Sequence, residues 1–261
     1  MKLLLHDTIT TAPLVYPFQG GWVDASDGIE LHPSLTAADI DGDTSALIPS
    51  AEIPLLTETH LVVPDVAVVL DGRGDVAMRT PVRPDEIEGP VVRLYATSGT
   101  AELLARATLE SFYGIVAREW TKEEAANAQV VIVEGAEALR APESGFAEDL
   151  VRAWFILTAQ PLVSHLLIVP KSTDPESVRA LLTAARTIGH ERRKDLRRAT
   201  AERFEIDREH PTELAAVTRL SLEETDRRAL LMFLQRGNRG SSYPYIWEIP
   251  YTDSPAPEPG A

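Results

Sequence analysis

The sequence of 261 residues predicts an α/β fold in two lobes, with a ligand cleft between them. Apolar runs typical of buried strands alternate with segments of helical periodicity, which indicates mainly parallel sheets covered by helices. Two extended crossings, near 81–90 and 162–170, divide the chain into a first lobe of residues 1–80 and 168–261 and a second lobe of residues 81–167. Several strands end in small hydroxylic residues, and open α/β sheets bind ligands beyond the carboxyl ends of their strands.

Composition narrows the classes of partner and chemistry. The formal net charge is -15, from 40 acidic and 25 basic residues, which argues against nucleic acid and anionic membrane surfaces as partners. A small anion stays open, because its site needs only a local positive potential. The chain has no cysteine, which excludes disulfides, thiolate catalysis and zinc sites built on cysteine. The histidines lack metal-ligand spacing and no glycine-rich nucleotide motif occurs, so we expect neither metal nor cofactor.

The first lobe is expected to begin with a strand. The leucines at 3–5 precede His6 and Asp7, which leaves an apolar core too short for a secretion signal, and no run approaches transmembrane length. We therefore expect a cytoplasmic protein, unless a leader was removed. A hydroxyl-rich turn follows this strand, and Pro13 suits the first turn of a helix that reaches Phe18. Further strands are expected at 22–23, 45–48 and 60–71, with a turn at 27–28.

The stretch 95–104 stands out in the second lobe. It joins an apolar strand at 91–95 to a helix that extends to about 113, and its turn carries Thr97, Ser98, Gly99 and Thr100. A helix N-terminus presents unpaired N–H groups and a partial positive charge, which suits a carboxylate or phosphate. The alternative is an ordinary N-cap, because serine and threonine are favoured there whatever the function.

Similar turns supply the other candidate ligand residues. Thr10 and Thr11 follow the first strand, where they either line the cleft or cap the first helix. Ser50 ends the strand at 45–48, and we favour a ligand role for it. The predicted ligand set is Thr10, Thr11, Ser50, Thr97, Ser98, Gly99 and Thr100. The expected ligand is a small carboxylate or a polar metabolite.

The remaining elements follow from periodicity and capping signals. A capping box predicts a short helix at 121–124, and an apolar run at 130–133 predicts a strand that ends at Glu134, a possible acid or base facing the cleft. His165 lies inside an apolar strand and is expected to be a core or hinge histidine. Helices are expected at 147–158, 174–189 and 221–236.

A charged segment at 191–198 allows two interpretations. Four arginines and one lysine suggest a phosphate-binding patch, whereas the interspersed acidic residues suggest a solvated helical face. We favour the solvated face.

Several stretches resemble one known family. They are Thr11-Ala12-Pro13, Ala46 to Ser50, Thr97 to Thr100, and the section from 130 to 163 with Trp154 and Gln160-Pro161. Together they resemble the futalosine-pathway menaquinone-biosynthesis family, which includes chorismate dehydratase and dihydroxynaphthoate synthase. The resemblance implies the two-lobed type 2 periplasmic-binding-protein fold and a lyase that removes water from a cyclic carboxylic acid. The alternative is a binding protein of the same fold that captures a metabolite without chemistry; the oligomeric state stays open.

The chain departs from this family at three positions. Dehydratases of the family usually carry asparagine where this chain has Thr10, arginine where it has Gly99, and aspartate where it has Ala136. The expected general base is therefore unknown, and the donors that remain are backbone N–H groups and hydroxyls.

Overall fold

The computed structural model describes residues 2–24 and 28–252 and contains two β-sheets. The strands are β1 (Lys2–His6), β2 (Ile29–His32), β3 (Thr44–Pro49), β4 (His60–Leu70), β5 (Val76–Thr80), β6 (Val91–Tyr95), β7 (Glu119–Thr121), β8 (Ala128–Glu134), β9 (Phe146–Asp149), β10 (Leu162–Pro170) and β11 (Thr218–Arg219). The helices are α1 (Ala12–Gln19), α2 (Gly99–Tyr113), α3 (Ala136–Leu139), α4 (Leu150–Thr158), α5 (Glu176–Glu191), α6 (Arg193–Phe204), α7 (Glu209–Val217) and α8 (Glu224–Gly237).

The first sheet has the strand order β11-β4-β10-β3-β1-β2. Strand β1 pairs in parallel with β2 and β3, while β10 runs antiparallel to β3 and β4. The carboxyl ends of β1, β3 and β4 therefore lie at one edge of the sheet. Every residue of β3 and β10 is buried, so both faces of the sheet are covered at these two strands, as is usual for parallel α/β sheets.

The second sheet has the order β7-β6-β8-β5-β9. Strand β6 pairs in parallel with β7 and β8, and β5 runs antiparallel to β8 and β9. Helix α2 begins four residues after β6 and packs on α4 and α8. Buried Trp154 of α4 meets Phe233 of α8 edge to face, with ring centroids 5.5 Å apart. The terminal helix α8 thus anchors the second sheet's helices to the rest of the chain.

The sheets change at other points than the predicted lobe boundaries. Residues 76–80, expected in the first lobe, form β5 of the second sheet, so the chain crosses at 71–75. Residues 162–167, expected in the second lobe, belong to β10 of the first sheet, so the chain returns at 159–161. The prolines at 81–90 do not mark a crossing between lobes, because they lie in the connection between β5 and β6 of the second sheet. The crossing itself uses Gly72, whose φ of +74° favours glycine.

Two predicted elements are wrong, and one predicted helix begins three residues later than expected. Residues 22–23 form no strand, because Trp22 instead packs its indole on Tyr16 of α1 and lies under the guanidinium of Arg192. The capping box at 121–124 starts no helix: Thr121 ends β7 and its hydroxyl accepts a bond from the Glu123 N–H within a single turn. Residues 147–149 belong to β9, and α4 begins only at 150. The predicted turn at 27–28 falls partly outside the described residues.

The segment 191–198 bends between α5 and α6 rather than forming one helical face.

Among the residues that the structure describes, no helix is long and apolar enough to cross a membrane.

Candidate functional site

Ser98 and Glu134 form the centre of the candidate site. Ser98 is the N-cap of α2, and its hydroxyl accepts a bond from the Ala101 N–H at 3.2 Å. The same hydroxyl donates to Glu134 Oε1 at 2.9 Å, and the Ser98 N–H donates to Glu134 Oε2 at 2.5 Å. The carboxyl group at this helix N-terminus is therefore the chain's own. It comes from the carboxyl end of β8, next to β6 in the sheet.

Burial shifts the proton equilibrium of this carboxyl group. It raises the pKa of Glu134 above its usual range, although the two bonds from Ser98 act in the opposite direction. Asp75, buried at the crossing between the sheets, has its pKa raised to about 8 by burial and by the charge of Glu134. Two carboxyl groups at the lobe junction thus hold protons more readily than exposed ones do.

Thr100 joins the two lobes. Its hydroxyl lies 3.3 Å from Ser50 Oγ, accepts a bond from the Ala51 N–H at 3.2 Å and donates to the Ser164 carbonyl at 3.4 Å. Both Ser50 and Thr100 are buried. The hydroxyls of these two predicted ligand residues therefore hold the first turn of α2 against the first sheet.

Gly99 lies under the C-terminal segment of the chain. A Cβ at this position would stand 1.9 Å from the Tyr243 hydroxyl and 2.7 Å from Glu52 Oε1. The Tyr243 hydroxyl donates to Glu52 at 2.8 Å, and the buried Glu52 also accepts a bond from the Ala37 N–H. A side chain at residue 99 would have to displace Tyr243 and Glu52, so the arginine usual in the dehydratases does not fit beside the Tyr243–Glu52 bond.

Some donors at the start of α2 remain unused. Within residues 2–24 and 28–252, the N–H groups of Gly99 and Thr100 and the hydroxyl of Thr97 have no hydrogen-bond partner. Thr97 and Gly99 are only partly buried. Free donors at a helix N-terminus are of the kind that suits a small anion.

The turn after β1 satisfies its own polar groups. The Thr11 hydroxyl donates to the His6 carbonyl at 2.6 Å and accepts a bond from the Thr8 N–H at 2.9 Å. The Thr10 hydroxyl lies 3.2 Å from that of Thr8. No hydrogen bond in the described parts of the chain joins this turn to residues 97–100, so the structure does not bring Thr10 and Thr11 into the cluster around Ser98.

Two histidines extend the cluster into the first sheet, and sequence analysis did not pair them. His6 Nδ1 lies 2.8 Å from His165 Nε2, and His165 Nδ1 lies 3.1 Å from Ser164 Oγ. Burial lowers the pKa of His6 to about 4 and the pKa of His165 well below its usual value. Both rings are therefore neutral at pH 7. They are 159 residues apart in sequence, and no local pattern signals their contact.

The described residues include no group of three or more histidine, aspartate or glutamate side chains that could hold a metal ion.

Solved structures similar to this chain share its fold. A protein of Archaeoglobus fulgidus matches with a TM-score of 0.64 and 15% identity, covering 91% of this chain and 96% of that one. The alkanesulfonate-binding protein SsuA of Xanthomonas axonopodis pv. citri, bound to MOPS, matches at 0.60 and 13%, covering 89% and 90%. A Candida albicans protein with the generic periplasmic binding protein fold matches at 0.57 and 12%, covering 92% and 90%. The expected two-lobed periplasmic-binding-protein fold is confirmed.

No curated protein matches the chain. A family model described as menaquinone biosynthesis does, and it spans residues 30–239. That range includes β3, the start of α2, Glu134 and β10, and thus most of the candidate site. The chain belongs to the menaquinone biosynthesis family.

Proposed function

We propose that this protein binds a small cyclic carboxylic acid between its lobes and eliminates water from it, in the manner of chorismate dehydratase. Family membership and the fold support a small-molecule site where the strands of the two sheets end. The unused N–H groups of Gly99 and Thr100 are suited to the ligand's carboxylate.

The observation that carries the proposal is the Glu134 carboxyl group, fixed by Ser98 and raised in pKa by burial. Elimination of water needs a base that takes a C–H proton made acidic by conjugation with the carboxylate, while the C–O bond breaks on the neighbouring carbon. The electron pair of the C–H bond becomes the new C=C bond, and the departing hydroxyl takes a proton. A carboxyl group with a pKa nearer to neutrality can accept the first proton and supply the second.

The Ser98 hydroxyl is a positioning group in this scheme. Its bond to Oε1 and the bond from its N–H to Oε2 fix both carboxylate oxygens, which sets the direction of proton transfer. The N–H groups at the start of α2 would stabilise the enolate that develops on the substrate carboxylate.

A specific observation also favours the second candidate, a binding protein without chemistry. Thr10, Gly99 and Ala136 stand where the dehydratases usually have an amide, a guanidinium and a carboxylate. One protein of similar fold is an alkanesulfonate-binding protein, which binds an anion. Capture of a small anion at the start of α2 needs none of the three missing side chains.

The two candidates separate in one experiment. A thermal-shift screen of chorismate, futalosine derivatives and small carboxylates identifies stabilising compounds, and mass spectrometry then follows each for loss of one water. For an enzyme, we expect Glu134→Gln to lower turnover about 100-fold or more while ligand binding persists. Glu110→Gln, on the exposed surface of α2, is the matched control and should leave turnover unchanged.

The remaining outcomes are equally informative. Stabilisation without any product would establish the binding protein, and turnover that survives Glu134→Gln would remove the proposed proton-transfer group. Absence of a stabilising carboxylate would contradict both candidates.

A further inference from the structure

A cavity lies wholly within the first lobe, away from the Ser98–Glu134 cluster. It measures about 620 Å³ and lies between the start of α1, the end of α5, the first turns of α6, and α7. Its volume is in the range of sites that enclose small organic ligands. Thr10, which the sequence placed among the ligand residues, lines this cavity.

The walls of the cavity are largely apolar. Ile9, Leu196 and Leu214 contribute buried side chains, and Pro211 and Leu220 complete the apolar surface. A hydrated ion such as free phosphate would gain nothing from such walls. A ligand with an apolar ring or chain would bury surface against them.

Three arginines line the same cavity: Arg186, Arg193 and Arg197. No acidic side chain in the described parts of the chain forms an ion pair with any of them, and Arg186 bonds only to the carbonyls of Asp65 and Leu220. The one acidic residue on the rim is Glu191, which is exposed. Three uncompensated cations in one cavity are notable in a chain whose net charge is -15.

Arg197 carries the strongest indication. Its Nε atom is buried and has no hydrogen-bond partner among the described residues. A buried donor without a partner costs free energy unless a ligand supplies the acceptor. A carboxylate matches the planar guanidinium with two parallel hydrogen bonds.

We infer that this cavity is a binding site for a small carboxylate with an apolar ring, whose acid group meets Arg193 and Arg197 while the ring packs against the apolar walls. The site is separate from the lobe junction and does not depend on the proposed function. Arg193 and Arg197 of the charged segment 191–198 thereby bind an anion, whereas the sequence favoured a solvated helical face for this segment.

Naphthoate and its uncharged counterpart naphthylmethanol test this inference by titration calorimetry on the full chain. We expect naphthoate to bind the wild type at least tenfold more tightly than the alcohol, because only the acid pairs with the arginines. Arg197→Gln and Arg193→Gln should each weaken naphthoate about tenfold and leave the alcohol unaffected. Arg193 is exposed, so its substitution keeps the test valid if Arg197→Gln fails to fold.

Two controls locate the bound acid. Arg198 lies on the same helix but is exposed and bonded to Asp195 at 2.9 Å, so Arg198→Gln should leave naphthoate affinity unchanged. Ser98→Ala should also leave it unchanged, since that residue belongs to the other site. Absence of binding, equal affinity for acid and alcohol, or equal weakening by Arg198→Gln would each overturn the inference. Loss of binding on Ser98→Ala alone would place the acid at the lobe junction and overturn it as well.

Discussion

The turns after β1 and after β6 use the same residue types in different ways. Each follows a parallel strand, leads into a helix and is rich in hydroxyls. In the first turn, Thr11 bonds to His6 and Thr8, all within five residues. In the second turn, Ser98 bonds to Glu134 and Thr100 to Ser50 and Ser164, which lie 36 to 64 residues away in sequence.

This difference shows what a hydroxyl-rich turn signals. Its composition predicts that a helix begins there, because serine and threonine cap backbone N–H groups in any context. It does not reveal whether the side chains stay within the turn or reach other elements. Of the two turns, only the second brings a hydroxyl to a carboxyl group whose pKa is raised by burial.

The largest expected effect concerns Gly99. If the second turn were only a helix start, Gly99→Ala would stabilise the protein, since alanine favours helix by about 1 kcal/mol over glycine. The contacts with Tyr243 and Glu52 predict the opposite sign. We expect a loss of about 3 kcal/mol in the free energy of unfolding, because the Tyr243–Glu52 bond must break or the C-terminal segment must move. Urea unfolding measures it.

Gly42 provides the control for this substitution. A Cβ there meets nothing within 4 Å, so Gly42→Ala should change the unfolding free energy by no more than about 0.5 kcal/mol. Adding Tyr243→Ala to Gly99→Ala should cost less than the sum of the two single substitutions. A stabilising Gly99→Ala would show that the C-terminal segment does not bear on the turn.

Stability should respond to pH with opposite signs around the two turns. Beside the first turn, the pKa of His6 is lowered from 6.5 to about 4. Between these two pH values the unfolded chain binds a proton at His6 and the folded chain does not. Stability from this group is lost as the pH falls from about 6.5 towards 4. Behind the second turn, the pKa of Asp75 is raised from 3.8 to about 8. Its contribution is greatest below about pH 4 and is lost as the pH rises towards 8.

The two slopes can be assigned by substitution. A single linked proton changes the unfolding free energy by up to about 1.4 kcal/mol per pH unit. The expected change is therefore about 2 kcal/mol for Asp75 between pH 6 and 8 and about 1 kcal/mol for His6 between pH 6 and 5. We expect Asp75→Asn to flatten the profile between pH 6 and 8, and His6→Gln to flatten it between pH 6 and 5. Profiles parallel to that of the wild type would show that neither group titrates as its burial implies.

Local signals explain most of what the sequence predicted correctly. The strand expected at 45–48 is part of β3, because a short apolar run is enough to indicate it. Helix α2 begins directly after Ser98, because a cap residue marks its start. The contacts of Glu134 with Ser98 and of His6 with His165 depend on which strands become neighbours, and no short pattern encodes that. The predicted lobe boundaries differ from the points at which the chain changes sheet for a related reason. Prolines indicate a turn, but they do not indicate the sheet to which the next strand belongs.

Threonine-to-valine substitutions compare the two turns at matched shape. Thr11→Val removes the 2.6 Å bond to the His6 carbonyl and the 2.9 Å bond from the Thr8 N–H. We expect it to lower the unfolding free energy by about 2 kcal/mol. Thr100→Val removes longer bonds of 3.2 to 3.4 Å, and about 1 kcal/mol is expected. Thermal and urea unfolding of both variants give the order, and a larger loss for Thr100→Val would reverse the comparison.

The smallest expected effect on stability, and the most specific one on function, belongs to Ser98→Ala. The hydroxyl caps α2 through the Ala101 N–H, and losing one cap bond costs about 1 kcal/mol. It also fixes one oxygen of Glu134, whose other oxygen keeps its bond from the Ser98 N–H. In Ser98→Ala the Glu134 carboxyl group would stay in place but rotate more freely. The proposed anion site at the start of α2 would then lie beside a mobile carboxyl group.

A carboxylate that binds at the lobe junction should therefore bind Ser98→Ala about tenfold more weakly than the wild type, which corresponds to about 1.4 kcal/mol. Thr11→Val should leave that affinity unchanged even though it destabilises the fold more, because within the described residues the first turn has no hydrogen bond to residues 97–100 or to Glu134. Isothermal titration of both variants with the same acid decides between the two uses of a hydroxyl-rich turn. If Ser98→Ala lost stability but kept full affinity, the second turn would be a helix cap like the first, and the ligand site would have to lie elsewhere in the molecule.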